Sequence, residues 1–486
     1  MKPNVLLINV DQMRHDCLSI LGHPAVETPY LDQLARAGAI FSNTYSATPT
    51  CVPARAAMMT GMSQKSHGRV GYEDGVTWDY EHTLPSELTN AGYQTQCVGK
   101  MHVYPTRKLC GFQNVVLHDG YMHYNRYQND TPIGQSFDKT DDYIQWLRDK
   151  TNANTDLIDL GLDCNSSVTS RPWNHDEKYH PTNWVVSESI DFLRRRDPTK
   201  PFFLKMSFVR PHPPFDPPQS FYDHYVNEDF PNPVVGDWVE KADPYLMGLD
   251  PLTEKGIVPE KRLKRARAAY YALISHIDFQ IGRFLLAMNE YGVLNNTIIF
   301  FASDHGEMLG DHHCFAKALP YEGSAKVPFI VSDPGNLLSF QRGSVRDQAV
   351  ELRDLMPSIL DAVDVPIPDS VDGKSVLPLL KEASASWRDF IHGEHELGEE
   401  SHHFITNGKV KYIWFSQTGE EQFFDLQVDP FEMKNVIGDA RNKKQINELK
   451  DFLIAELKDR EEGYSDGAQL IVGRKPKTCL NHILPT

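Results

Sequence analysis

Acidic, amide and imidazole side chains recur in this chain where apolar runs stop. Asp11-Gln12 follows Val5 to Val10, and Asp304-His305 follows Thr297 to Ala302 with one serine between. Two carboxylates, an amide oxygen and an imidazole make a donor set for a divalent cation. A third run, Tyr93 to Val98, ends at Gly99-Lys100-Met101-His102. A fourth, Pro201 to Val209, ends at Arg210-Pro211-His212-Pro213-Pro214. These ends add an ammonium and two imidazoles, groups that hold anions and move protons. Cys51, with Pro53 and Arg55 after it, opens an Ala- and Met-rich stretch that stops at Gly61. Proline in the first turn and glycine past the end mark a helix. Cys51 is thus expected at a helix N-terminus, where the dipole favours an anion.

Helical patterns over Tyr30–Ala37, Asn183–Arg196 and Arg265–Tyr291 separate the four runs. Strands alternating with helices predict an α/β fold, a large, mainly parallel sheet covered on both faces. Ligands of such sheets bind beyond the carboxyl ends of the strands, so the four polar ends should converge on one crevice. The chain is expected to divide into a catalytic α/β domain, 1–380, and a smaller α+β subdomain, 381–486. The latter is expected to hold an antiparallel sheet from His402–Thr406, Val410–Ser416 and Glu421–Leu426, with a helix near Lys443–Leu457. Residues from about 104 to 180 have weak periodicity and read as loops over the site, where specificity is carried.

A net charge of −17 argues against nucleic acid or an anionic membrane as partner. An anionic substrate must then be drawn by a local cationic pocket, for which Arg55, Lys100, His102, His212 and Lys317 are the candidates. Seven cysteines without a C-x-x-C pair form neither a disulfide framework nor a zinc ribbon. His312-His313-Cys314 lacks a matching second half and is read as structural. The first apolar run reads as a strand and not as a signal peptide, and no apolar stretch is long enough to span a bilayer. A cytoplasmic location is the resulting expectation.

Two segments carry a family resemblance. CVPARAAMMTG, residues 51–61, resembles the first signature of the type I sulfatases, and GYQTQCVGKMH, residues 92–102, resembles the second. These enzymes belong to the alkaline phosphatase superfamily. The resemblance implies that a maturation enzyme oxidises Cys51 to formylglycine, whose hydrated aldehyde is the nucleophile. It implies a divalent metal, usually calcium, held by Asp11, Gln12, Asp304, His305 and position 51. It also implies roles: Arg55 steadies the diol, Lys100 and Lys317 grip sulfate, His212 protonates the leaving group, and His102 takes the second hydroxyl's proton. The chain departs from the commoner family pattern at Gln12, where many members carry aspartate, and at His305, where many carry asparagine. The softer, less charged set keeps manganese and magnesium as alternatives to calcium.

The expected substrate is a small sulfated saccharide, with a 6-O-sulfated amino sugar such as N-acetylglucosamine 6-sulfate as the first candidate. Trp173, His175, His180, Tyr121 and His123 are candidate contacts, with plain packing of the loops as the competing reading. Choline and aryl sulfates are alternatives. So is a phosphonate monoester or phosphodiester, although Lys100 and His102 speak for sulfate. A glycan-binding protein without catalysis is disfavoured because no catalytic position is missing.

Overall fold

The structure is a computed structural model that describes residues 2–120, 140–152, 162, 165–239 and 253–484. Tyr121 and His123 lie outside the described residues. Nine strands form the large sheet: β1 (Asn4–Asp11), β2 (Gly38–Tyr45), β3 (Gln94–Gly99), β4 (Asn114–Leu117), β5 (Phe202–Pro211), β7 (Thr297–Ser303), β9 (Lys326–Val327), β10 (Phe329–Ser332) and β11 (Ser344–Glu351). Their order is β11-β2-β10-β7-β1-β5-β3-β4, with β9 added beside β2. β1 lies at the centre, parallel to β5 on one side and to β7 on the other. β10 runs antiparallel to β7 and β2, so the sheet is mainly but not wholly parallel. β6 (Thr253–Lys255) and β8 (Cys314–Ala316) form a separate two-stranded ladder.

Alternation along β1 explains how the sheet is covered. Leu6, Ile8 and Val10 point into one core with the helices Pro29–Arg36, Pro181–Arg195 and Glu260–Glu290. Val5 and Leu7 point into the other, with the helices Cys51–Thr60 and Leu355–Ala362. A strand buried on both faces reads as a mostly apolar run, as β7 does from Ile298 to Ala302 and as β1 and β5 do apart from Asn9, Lys205 and Ser207. The first carboxylates come where β1 and β7 leave the two cores, at Asp11 and Asp304.

A second sheet is a four-stranded antiparallel meander of β12 (Ile391–His395), β13 (His402–Thr406), β14 (Val410–Phe415) and β15 (Glu421–Asp425). Ile405, Tyr412, Trp414 and Phe423 on one face pack on Leu449 and Leu453 of the Lys443–Glu456 helix. Phe404, Ile413 and Phe424 on the other pack on Tyr45, Leu319 and Tyr321. β12 comes closest to the large sheet's polar rim: Glu394 N–H donates to Ala47 O at 2.8 Å. No helix among the described residues is long and apolar enough to cross a membrane.

Candidate active site

Cys51 is the first residue of its helix, after an extended Thr50 (φ −145°, ψ 159°). The helix closes at Gly61, whose left-handed φ of 67° lets its N–H reach Ala57 O. All ten helix residues are buried. The Thr50 hydroxyl does not cap the helix; it pairs with His395 Nε2 of β12 at 3.0 Å. The small sheet thus helps to fix the residue before Cys51, a contact that sequence spacing could not reveal.

Four groups converge on Cys51 Sγ: His305 Nε2 at 3.2 Å, Asp11 Oδ1 and Lys317 Nζ at 3.6 Å, and Lys100 Nζ at 3.7 Å. They come from the ends of β7, β1 and β3 and from the loop after β8. Two glycines make the convergence possible. Gly99 has φ +100° and a Cβ there would lie 1.9 Å from Ser207 O; one at Gly306 would lie 2.0 Å from Gly323 O. Only a residue without Cβ lets the Lys100 and His305 turns approach so closely.

Arg55 is one turn along the same helix and fully buried. Its Nε and NH2 both meet Asp304 Oδ2, at 2.9 and 2.8 Å, while NH1 donates to Lys100 O at 2.9 Å and Ser207 Oγ at 3.1 Å. Lys100 Nζ lies 2.5 Å from Asp11 Oδ2. Lys317 Nζ donates to Gln12 Oε1 at 2.9 Å. His305 Nδ1 faces Gly306 O at 2.9 Å, which places a proton there and turns Nε2 toward Asp11 Oδ1, 3.4 Å away. Asp11, Cys51, Asp304 and His305 each offer an atom within 4.8 Å of the others' atoms.

The electrostatics follow from this crowding. Burial and Asp11 push the Cys51 thiol up, but Lys100, Lys317 and His305 outweigh them and hold it well below an ordinary thiol. Burial alone would raise the Asp11 carboxyl; Lys100 leads the cations that instead keep it well below the usual range. Asp304, pushed by burial and by Asp11, is raised. Against its own burial, His305 is pushed up to about 10 by Asp304 and Cys51. The cluster therefore sets two carboxylates, which suit a cation, beside two lysines, which suit an anion.

His102, after the end of β3, has its backbone N–H on Asp119 Oδ1 at 2.8 Å and its Nε2 3.3 Å from Asp74 Oδ1. Burial and Lys100 lower its pKa, but Asp74 and Cys51 raise it above the ordinary imidazole value. His212 Nδ1 faces Pro213 O at 2.9 Å. Burial, then Lys317, holds this ring well below the usual histidine value, with Asp11 opposing. The loop bearing it is stapled by Arg210, whose Nε and NH2 meet the two oxygens of Asp216 at 2.6 and 2.8 Å.

The structure thus brings together Asp11, Gln12, Cys51, Arg55, Lys100, His102, His212, Asp304, His305 and Lys317. It gives three candidate substrate contacts other surroundings. His180 is buried, caps the Pro181–Arg195 helix through Thr182 N–H at 3.2 Å, and packs edge-to-face on Trp173. Trp173 is 6% exposed and donates to Asp176 O, with His175 packed at its edge. These rings are engaged in packing, the competing reading given above. His312 likewise accepts from Gly236 N–H and packs on Trp238. Sequence reasoning missed Asp74, Asp119, Ser207, Glu307 and His395. Of these, Glu307 alone had a local signal, two positions after His305.

A nucleophile ringed by cations beyond the ends of parallel strands is the arrangement of a hydrolase for anionic esters. Residues 3–365 match the profile of the family described as Sulfatase, and residues 310–459 that of "N-sulphoglucosamine sulphohydrolase, C-terminal". An arylsulfatase of Clostridium perfringens (strain 13 / Type A) is 58% identical over 483 residues, covering 99% of this chain and 100% of the relative. Among solved structures, a protein in complex with its substrate D-glucosamine-2-N,6-O-disulfate aligns with a TM-score of 0.75 at 22% identity, over 95% of this chain and 99% of that one. The phosphonate monoester hydrolase of Agrobacterium radiobacter aligns with a TM-score of 0.73 at 25% identity, over 93% and 95%. The chain belongs to the sulfatase family of the alkaline phosphatase superfamily and is a hydrolase acting on sulfate esters.

Proposed function

We propose that position 51 carries formylglycine, made from Cys51 by a maturation enzyme, and that Asp11, Gln12, Asp304 and His305 hold a divalent metal beside it. The convergence of two lysines, a histidine and a carboxylate on Cys51 Sγ within 3.2–3.7 Å carries this reading. The donors fit such an ion: carboxylate oxygens, an amide oxygen and an imidazole Nε2 whose other nitrogen is tied to a carbonyl. Calcium is proposed, with manganese and magnesium as the ions to compare. When bound, the metal supplies a Lewis acid that favours an ionised hydroxyl at position 51 and offsets sulfuryl charge.

An aldehyde hydrate offers two hydroxyls on one carbon, one to attack sulfur and one to be deprotonated so that sulfate can leave. Arg55 fixes Asp304 and adds positive charge behind position 51. Lys100 and Lys317 hold sulfate oxygens. His212 protonates the leaving oxygen. Burial and Lys317 disfavour its proton, and the charge of a bound sulfate offsets Lys317. His102 takes the remaining hydroxyl's proton, and Asp74 on its other nitrogen favours the charged ring.

The proposed leaving group is a sugar, a 6-O-sulfated amino sugar first. The recess beside His102 offers polar groups for it, Glu73, Asp74 and Thr106, next to Val76, Trp78, Val103 and Tyr104. Carboxylates there can accept from sugar hydroxyls, whereas an aryl group would desolvate them without return. The 58% identical relative, an arylsulfatase by name, favours an aryl sulfate as the second reading. A division of the chain near residue 380, between the end of β11 at Glu351 and the start of β12 at Ile391, is part of the same proposal. So is a cytoplasmic location, which favours small saccharides over polymers.

The test is free sulfate released from sulfated mono- and disaccharides, choline sulfate, an aryl sulfate and a phosphonate monoester, with Cys51→Ala as control. Release from one sugar position, absent in the control, is expected. Preference for the aryl sulfate promotes the second reading, and faster cleavage of the phosphonate than of every sulfate overturns both.

A further inference from the structure

Gln12 follows Asp11 at the end of β1, and its amide has two chemically opposite ends. An oxygen facing the cluster is a ligand, whereas an NH2 group would repel a cation and Lys317 alike. Its backbone has little freedom. Gln12 has φ +69°, its N–H donates to Asp304 Oδ1 at 3.1 Å, and its carbonyl accepts from Tyr270 OH at 2.7 Å. The amide, 1% exposed, can only sit one way or turn over.

Glu307, 0% exposed, decides which. Its Oε1 accepts two backbone N–H groups, Leu309 at 2.8 Å and Ala316 at 2.6 Å. Its Oε2 accepts the Ser167 hydroxyl at 2.8 Å and Gln12 Nε2. A carboxylate surrounded by donors can only accept, so Nε2 must face Glu307 and Oε1 must face Lys317 Nζ, 2.9 Å away. We propose that Glu307 is a positioning residue that locks the Gln12 amide with its oxygen toward the cation cluster, making Gln12 a neutral oxygen ligand. This rests on the metal reading above.

The donor pattern gives the proposal a specific test. In Glu307→Gln, the fixed N–H groups of Leu309 and Ala316 still demand an oxygen, so the new amide must turn its NH2 toward Gln12. Two NH2 groups cannot face each other. Gln12 turns over and presents Nε2 to the cluster. In the paired reversal, Gln12→Glu with Glu307→Gln, the new NH2 donates to the new carboxylate and an oxygen again faces the cluster.

The experiment is calorimetric titration of the full chain with manganese, magnesium and calcium salts alone, with circular dichroism to establish folding. Glu307→Gln should weaken metal binding about tenfold or more, and the paired reversal should restore it to about the wild-type value or tighter. In a Gln12→Ala background, Glu307→Gln should cost no further affinity, because no amide is left to orient. A Glu307→Gln protein that binds as wild type overturns the proposal, as does an equal further loss in the Gln12→Ala background, which would mean that Glu307 only holds its loop. If the single variant does not fold, failure of the folded paired reversal to bind metal overturns it. Wild-type protein that binds none of the three ions overturns the metal reading itself, and this inference with it.

Discussion

Two buried clusters in this molecule have similar composition and opposite character. At the end of the large sheet, Asp11, Cys51, Asp304 and His305 face one another; in the small sheet, His392, Glu394 and His403 do the same. In the second cluster the charges are already matched. Arg460 forks onto both oxygens of Glu394, at 2.6 and 2.9 Å, and His392 Nε2 pairs with His403 Nδ1 at 3.1 Å. Burial keeps both imidazoles below their ordinary pKa, hence neutral. In the first, Arg55 spends Nε and NH2 on a single oxygen of Asp304, while two lysines and His305 gather round a nucleophile. One cluster is a closed network; the other gathers cations round a nucleophile. The residue types alone do not distinguish them. The pairing geometry does.

If this contrast holds, substitutions in the first cluster should change turnover and those in the second should change stability. Cys51→Ala should abolish sulfate release, a loss of about 10⁴-fold or more, with little change in unfolding temperature. Asp304→Asn should lower kcat/KM about 10³-fold and weaken metal binding, read by sulfate release and calorimetry. Asp74→Asn should cost about tenfold in kcat by withdrawing support from His102, and an unchanged rate would remove Asp74 from the account. Glu394→Gln should leave kcat within about threefold but destabilise the fold by about 2 kcal/mol, because the buried Arg460 guanidinium keeps Glu462 but loses the carboxylate that takes two of its N–H groups. A Glu394→Gln protein with wild-type stability and lost activity would erase the distinction between the clusters.

The second cluster also predicts a pH window. Against the effect of burial, Arg460 draws Glu394 down from 4.5 to about 2. A carboxyl depressed on folding contributes stability that is full above its ordinary pKa and is lost as pH falls through the folded value. Acid unfolding of the native chain should therefore steepen between about pH 4.5 and 2, and Glu394→Gln should flatten that limb.

Much of the site was legible because its residues lie at the ends of long apolar runs. The runs at β1, β5 and β7 are buried on both faces, and β3 becomes fully buried from Cys97, so the charged residues, Lys205 apart, come where the strands end. β2, β10 and β11 gave no such signal. β10 is four residues long, β2 carries Ser42, Asn43 and Thr44, and β11 alternates with exposed Val345 and Asp347. The small sheet's β13 matched its expected bounds, whereas β12, with His392, Glu394 and His395 in five residues, was not among the expected strands. Positioning residues were the least visible. Asp74 and His395 reach His102 and Thr50 across long separations in sequence, and their roles are fixed by tertiary contact alone. Trp173 and His180 show the reverse: aromatic and polar types suited to a sugar, placed in packing.

The most direct test of the account is the rate of sulfate release measured against the fraction of position 51 present as aldehyde, read from the mass of the peptide that contains it. Preparations matured to different extents should fall on a line through zero. A preparation in which Cys51 remains a thiol yet releases sulfate at the same rate as matured protein would contradict the central claim.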